Sequence, residues 1–418
     1  MQLTPTHGAA GKAARRTFVL PRKTARRSRF LLIAAALIAA PVTTTRLRAD
    51  VLPDDRADAL YHRYQGGGVT IQGPSVLVRK KIGDNFSVNA NYYVDMVSSA
   101  SVDVKLTASP YTERREQKSL GFDYLRGKTT YSVDYINSEE SDYKANTASF
   151  GISQDMFGDL TTVSLGYSRG WNDVFRNIKE ANGEKMHDPS FTSTADTRAY
   201  RVGLTQILTR SMILNLNFEV DTDQGFLNSP YRSVRYVDPT SALGYSFEPE
   251  IYPHTHTSSA ASARLKYFLP YRASIDGSYR YYDDTWGIGA HTVELTYTHP
   301  WKHWIFDARA RYYRQNQADF YSDLFPRRDY ANFLARDKEM AAFQSYSVGF
   351  GASYDFSFAK LRWVQKSSLN VRFDHLLIRY DDFRNALLTN PSAGITAGTE
   401  PLYQLDANVL ELFLSVWY

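Results

Sequence analysis

The 418-residue chain has no cysteine. That excludes a disulfide framework, thiol catalysis and thiolate metal sites, and it suits a chain that crosses an oxidising compartment unfolded. After residue 50 no apolar run approaches the roughly 18 residues a membrane helix requires. Mean hydropathy is correspondingly low, −0.41. Also missing are a Gly-rich phosphate loop, a zinc-helix motif and a Gly-x-Ser-x-Gly elbow, so no catalytic, cofactor or metal site is expected. Acidic residues are absent from 1–49, which carry ten Lys and Arg. Without that stretch, 39 Lys and Arg face 44 Asp and Glu, a net charge of −5. The whole-chain pI of about 9.0 is therefore no argument for nucleic-acid binding.

The basic stretch ends at Arg29. An apolar segment follows over 30–40, then Pro41, then Leu47-Arg48-Ala49 ahead of Asp50. This is the layout of a secretory signal peptide cleaved near Ala49, and it is too short for a spanning helix. An uncleaved anchor is the alternative. Residues 50–58 read as a short periplasmic segment.

From there alternation takes over. In Phe86, Val88, Ala90, Tyr92, Val94 and Met96 every second residue is apolar, while Ser87, Asn89, Asn91, Tyr93 and Asp95 lie between them. Period-two patterning of this kind makes a strand with one apolar and one polar face. The pattern recurs to the end of the chain, split by short turns near 84, 127, 158, 209, 269, 301 and 358. Between these fall long polar stretches near 98–116, 138–146, 171–197, 222–257, 283–289, 316–342 and 380–403. Seven turns join fourteen strands, the C-terminal segment adds one, and 59–65 supplies another, with 66–68 opening a loop that ends at Pro74. The expectation is an all-β, transmembrane, antiparallel up-and-down β-barrel of about sixteen strands over 59–418, with fourteen or eighteen as neighbouring counts. An oily outside and a wet inside satisfy every backbone group in lipid, with short turns in the periplasm and long loops outside. The 30 Tyr suit interfacial girdles. A soluble Tyr-rich β protein is the competing reading. Leu414, Val416 and the terminal Tyr418 resemble the signal read by the outer-membrane barrel assembly machinery, an expected partner along with outer-membrane lipid and lipopolysaccharide. A homo-oligomer is left open, since no trimer interface is legible.

Several longer strings go beyond alternation. They are 73–81 (Gly-Pro-Ser-Val-Leu-Val-Arg-Lys-Lys), 91–99 (Asn-Tyr-Tyr-Val-Asp-Met-Val-Ser-Ser), 108–111 (Ala-Ser-Pro-Tyr), 137–145 (Asn-Ser-Glu-Glu-Ser-Asp-Tyr-Lys-Ala), 165–171 (Leu-Gly-Tyr-Ser-Arg-Gly-Trp) and 228–236 (Asn-Ser-Pro-Tyr-Arg-Ser-Val-Arg-Tyr). In these the chain resembles an uncharacterised proteobacterial outer-membrane family catalogued as domain of unknown function 3570. The resemblance implies a barrel in the bacterial outer membrane. It brings no settled activity and no agreed catalytic residues.

Function has to be read from the wall. Inward candidates on the early strands are Asp95, Asp123, Asp134, Glu219 and Asp221, with Arg201 as the exception. On the later strands they are Arg264, Lys266, Arg272, Arg280, Arg309, Arg311 and Arg372, mixed with Asp276, Glu294, Asp307, Asp355 and Asp374. If the two walls face each other, a transverse field crosses the lumen. In the long 222–257 stretch Tyr231, Arg232, Arg235 and Tyr236 set cations beside aromatics, a combination suited to sugars, phosphates or an inward-folded constriction. The leading reading is a porin-like pore for small polar or charged solutes. The alternatives are a structural or surface-assembly barrel whose loops bind a partner, and a barrel-embedded hydrolase.

Overall fold

The computed structural model describes residues 52–99, 101–102, 106, 111–179, 185–357, 361 and 363–418. The signal segment 1–49 and its cleavage site lie outside them. Sixteen antiparallel strands close into one barrel, in the order β1-β18-β17-β16-β15-β14-β13-β12-β9-β8-β7-β6-β5-β4-β3-β2. The wall comprises β1 (Arg56–Gly66), β2 (Val69–Ile82), β3 (Phe86–Ser99), β4 (Tyr111–Arg126), β5 (Thr129–Glu139), β6 (Tyr143–Met156), β7 (Thr161–Lys179), β8 (Lys185–Thr209) and β9 (Met212–Gly225). It continues with β12 (Thr255–Phe268), β13 (Ser274–Asp284), β14 (Gly289–Trp301), β15 (Trp304–Gln315), β16 (Phe343–Phe356), β17 (Lys366–Arg384) and β18 (Leu402–Trp417). The seam is made by β1 and β18, from Arg56 opposite Trp417 to Gly66 opposite Ala407. Two further strands, β10 (Ser233–Val237) and β11 (Tyr245–Pro249), form a separate hairpin.

Parity decides which side of the wall a residue faces. Phe86, Tyr92, Phe122, Val133, Phe150, Leu165, Val202, Phe218, Leu295, Val348 and Phe350 are all exposed. A β-sandwich would bury that row in its core. Here it forms a continuous apolar belt, which only a hydrocarbon environment satisfies. Aromatic contacts rim the belt at both ends. Phe86 and Tyr124 stack at 4.8 Å near the short turns. Tyr167–Tyr200 and Tyr312–Tyr346, each at 5.2 Å, lie toward the long connections. The molecule is a membrane-spanning barrel of the outer-membrane type.

Three local differences from the sequence reading have physical causes. The β1–β2 connection is two residues, not a loop to Pro74. Gly67 and Gly68 have φ of 58° and 78°, the pair of positive values that a tight type I′ hairpin demands. Pro74 lies within β2, where the β2–β3 ladder skips Gly73 and Pro74 because proline has no N–H to give. Most of 171–197 is strand. There β7 and β8 pair up to Lys179 and Lys185, far beyond the apolar belt. Polar residues conceal these extensions because nothing apolar needs to alternate above the bilayer.

Candidate functional site

The inward faces of the strands line the lumen. Among the early acids, Asp95 accepts hydrogen bonds from His62 Nε2 at 2.8 Å and from Tyr93 Oη at 3.0 Å, with Arg115 Nη1 at 3.7 Å. Asp123 accepts from Ser132 Oγ at 2.8 Å. Gly121, lacking a side chain, leaves space for Asp134 and Asn89. Arg201 and Glu219 face each other in register and pair at 2.5 Å.

The later cations are also matched locally. Arg264 Nε donates to Asp276 at 2.6 Å and its Nη2 lies 3.7 Å from Glu294. Lys266 Nζ is 3.9 Å from Asp276, Arg309 Nη2 donates to Asp374 at 2.7 Å, and Arg372 lies 3.8 Å from Glu411. Two walls of opposite sign are therefore not what the barrel presents, and the transverse field expected from the sequence is corrected to a belt of short-range pairs. Neighbouring strands neutralise each other because alternate signs directly opposite are favourable. A second correction concerns Arg272. It lies in the 269–273 turn with φ of 70°, so it is not part of the lumen wall.

Two inward cations stand apart from the pairs. Arg280 lies 5.6 Å from the Tyr282 ring and Arg311 lies 5.3 Å from that of Tyr313. Among the described residues neither forms an ion pair. Inward side chains also retain accessible surface: Arg201 53%, Arg264 41%, Arg372 39%. The lower lumen therefore has room for water between its walls.

The mouth at the long-connection end is different. The connections 226–254, 285–288 and 316–342 fold together as a cap. Val237 N–H donates to Phe325 O at 2.8 Å, and Phe325 N–H to Arg235 O at 2.9 Å. Ile251 and Leu334 exchange bonds of 3.0 and 2.8 Å. Beneath lies one apolar core containing Leu227, Tyr252, Trp286, Ile288, Tyr321, Ala335 and Met340, joined to Ala195 of β8 and Leu405 of β18. Those two strands are half a circumference apart in the ring, so the core bridges the opening.

A buried ionic clamp holds the cap. Arg235 donates to Glu400 Oε1 at 2.5 Å and Oε2 at 3.1 Å, to Asp323 Oδ2 at 2.5 Å and to Asp323 O at 3.0 Å. Arg336 donates to Asp323 Oδ1 at 2.9 Å. Arg232 pairs with Asp337 at 2.5 Å. Glu400 also accepts from Thr389 Oγ1 at 2.6 Å and from Gly398 N–H at 2.8 Å. Burial pushes the Glu400 carboxyl up, but the bonds from Arg235 and Thr389 outweigh it and hold it at about 2. Glu250 sits nearby, accepting from Arg336 N–H at 2.8 Å and Tyr252 Oη at 3.0 Å. Its burial, reinforced by the charge of Asp337, pushes it up to about 7.

The aromatic–cation string expected to contact solutes thus has another place. Arg235 is fully buried in the clamp, Arg232 is tied to Asp337, Tyr231 Oη accepts from Asn177 N–H at 2.7 Å, and Tyr236 bridges to Phe325. All four face neighbouring cap or rim residues. Sequence reasoning missed Asp323, Arg336 and Glu400, which complete the clamp, and the His62–Tyr93–Asp95 set. It also missed the matching set in which Asp284 accepts from His256 Nε2 and Tyr282 Oη, both at 2.8 Å. The repeated Tyr-x-Asp in β3 and β13 was the available signal. At the far end of the chain Leu414 lies on the outward face, while Tyr418 Oη donates to Arg79 O at 3.0 Å across the seam and Lys80 Nζ lies 4.8 Å from its ring.

The family described as Protein of unknown function (DUF3570) matches residues 99–381. No curated protein matches the chain. Among solved structures the chain is similar to a bacterial polysaccharide outer membrane secretin, with a TM-score of 0.46 and 8% identity over 88% of this chain and all of that one. It is similar also to OccK1 (OpdK) of Pseudomonas aeruginosa, with a TM-score of 0.40 and 9% identity over 88% and 99% of the two chains. A loop L8 deletion mutant of OmpT, an outer membrane protein of Vibrio cholerae, gives a TM-score of 0.40 and 10% identity over 87% and 98%.

Proposed function

The chain belongs to the family described as Protein of unknown function (DUF3570), and for this member we propose a capped outer-membrane channel for small anionic or polar solutes. The reading includes export behind a signal peptide at 1–49, and long connections that face the cell exterior. One observation carries it: Arg280 and Arg311, on the inward face, form no ion pair among the described residues and lie over the rings of Tyr282 and Tyr313. A cation on the wall of a low-dielectric tube attracts anions and raises their local concentration. The cap makes the channel a gated one.

A second reading rests on the cap's outer surface. Leu243, Phe247, Tyr330, Phe333, Leu387 and Leu388 are exposed there, which favours a surface scaffold with a docked partner.

Planar-bilayer recording of refolded protein separates the two. The channel reading expects rare discrete openings in the wild type, frequent ones in Arg235→Ala, and an anion preference that reverses in Arg280→Glu/Arg311→Glu. Silence in both the wild type and Arg235→Ala favours the scaffold.

A further inference from the structure

The outer wall carries a charge arrangement that the sheet itself does not neutralise. Arg169 of β7 and Arg198 of β8 are direct register partners. Both lie on the outward row and are exposed. Opposed residues stand about 4.5–5.5 Å apart at Cβ, and like charges placed so repel. Two other outward cations do have acids: Arg114 pairs with Glu116 at 2.8 Å and Lys144 with Glu139 at 3.4 Å. Neither Arg169 nor Arg198 has an ion pair or side-chain hydrogen bond among the described residues, and Asp196, diagonal on the same face, pairs with neither.

Their height is informative. Arg169 follows Thr161, the first residue of β7, by eight positions. At ~3.3 Å per residue and a ~40° tilt that is roughly 20 Å above the short-turn end. The Tyr167–Tyr200 pair, its rings tilted at 47°, lies one step below, and Trp171, 6.4 Å from Tyr135, lies one step above. The two guanidinium groups therefore sit inside the aromatic girdle at the long-connection end, where lipid headgroups begin.

A second, independent feature adjoins them. The same outer wall has an apolar trough of about 390 Å³, with Ala261 and Ala263 as its floor, Val202, Leu216 and Phe218 on one flank and Tyr279 on the other. Val202 lies four residues below Arg198 on β8, so the trough runs from the girdle toward the middle of the membrane. Two small side chains between large ones leave a groove shaped for a hydrocarbon chain.

We propose that this wall holds one phosphorylated lipid, with its phosphate across Arg169 and Arg198 and one acyl chain in the Ala261–Ala263 trough. On the reading that the long connections face the exterior, on which this step rests, the lipid belongs to the outer leaflet and is the lipid A portion of lipopolysaccharide. Paired guanidinium groups bind phosphate oxygens through charge-assisted hydrogen bonds. A soluble anion has no use for the trough.

Native mass spectrometry of the full mature chain in detergent tests this, with diphosphoryl lipid A, fully dephosphorylated lipid A and inorganic phosphate as probes. Diphosphoryl lipid A is expected to bind one to one, and the dephosphorylated lipid about tenfold more weakly. Arg169→Gln/Arg198→Gln is expected to lose about tenfold, Arg169→Lys/Arg198→Lys to keep most of the affinity, and Ala263→Phe to weaken binding by filling the trough. Heat-modifiable electrophoretic mobility checks that each variant is folded. Equal lipid A affinity in the wild type and the folded Gln variant overturns the proposal. So does binding of inorganic phosphate without binding of the lipid. Conductance of the same samples is a separate readout, so a failed channel reading leaves this result standing and the reverse holds too.

Discussion

Replacing Arg235 with alanine should open the cap while leaving the barrel closed. The side chain is fully buried and faces Glu400, itself fully buried, and Asp323. Removing the cation leaves Asp323 with Arg336 but strips Glu400 of its only cationic partner among the described residues. Breaking a buried pair from one side costs about 3–5 kcal/mol, because the remaining charge stays desolvated and uncompensated. At about 1.4 kcal/mol per factor of ten, the open population of the cap should rise on the order of 10²–10³-fold. The barrel's own ladders are untouched, so heat-modifiable mobility should not change. Amide hydrogen exchange provides the assay. The Val237 and Phe325 amides join the two cap segments, and both should lose protection by that factor while the Leu165 and Val202 amides of the wall keep theirs. A compensating variant, Arg235→Met with Glu400→Leu, should recover most of the protection, since apolar replacement of both partners removes the stranded charge. Unchanged protection of Val237 and Phe325 in Arg235→Ala would refute the clamp.

The cap should also loosen as pH rises from about 4.5 to about 7. Glu250 is held near 7 in the folded cap against an ordinary 4.5, so within that window the closed form keeps a proton that the open form releases. Closure is then favoured at the acid end and weakens by up to about 3 kcal/mol as pH climbs, flattening above about 7. Exchange of the Ile251 and Leu334 amides at pH 5 and pH 8, corrected for intrinsic rates, should show this slope, and Glu250→Gln should abolish it. Glu400 works in the other sense, losing its contribution only as pH falls below about 4.5 toward 2, so the two windows do not overlap. At the seam, deleting Tyr418 should slow assembly and reduce heat-modifiable protein, because its ring meets Lys80 and its hydroxyl meets Arg79. Normal assembly kinetics in reconstituted membranes would count against that role.

How much of this was legible beforehand follows from where each constraint acts. Lipid demands an apolar residue at every second position, so the strands and six short turns could be read from Phe86, Phe122 or Val348 and their like, while the turn expected near 358 lies outside the described residues. That demand ends at the girdle. Beyond it β7 and β8 keep pairing with no apolar signature, and 171–197 looks like a loop. The clamp was invisible for a different reason. Arg235 and Glu400 are 165 residues apart, and nothing local in either segment specifies the other. The lumen charges were assigned by sign along the chain, yet register decides which acid meets which base. Arg309 finds Asp374 through β16, a strand that carries neither. Arg272 was misplaced because the alternation before and after it continues straight through a turn.

The seam has a consequence for timing. Its two halves are separated by nearly the whole folded chain, from Ala57 to its partner Val416. Loop-closure entropy rises only with the logarithm of that separation, so the final zipping is not made prohibitive by distance. Until β18 arrives, however, β1 and β17 each expose a row of bare peptide groups that hydrocarbon cannot satisfy. A nascent sheet in that condition is a template for any stray strand. Only the pairing of β1 with β18 removes both raw margins, and it does so in a single step.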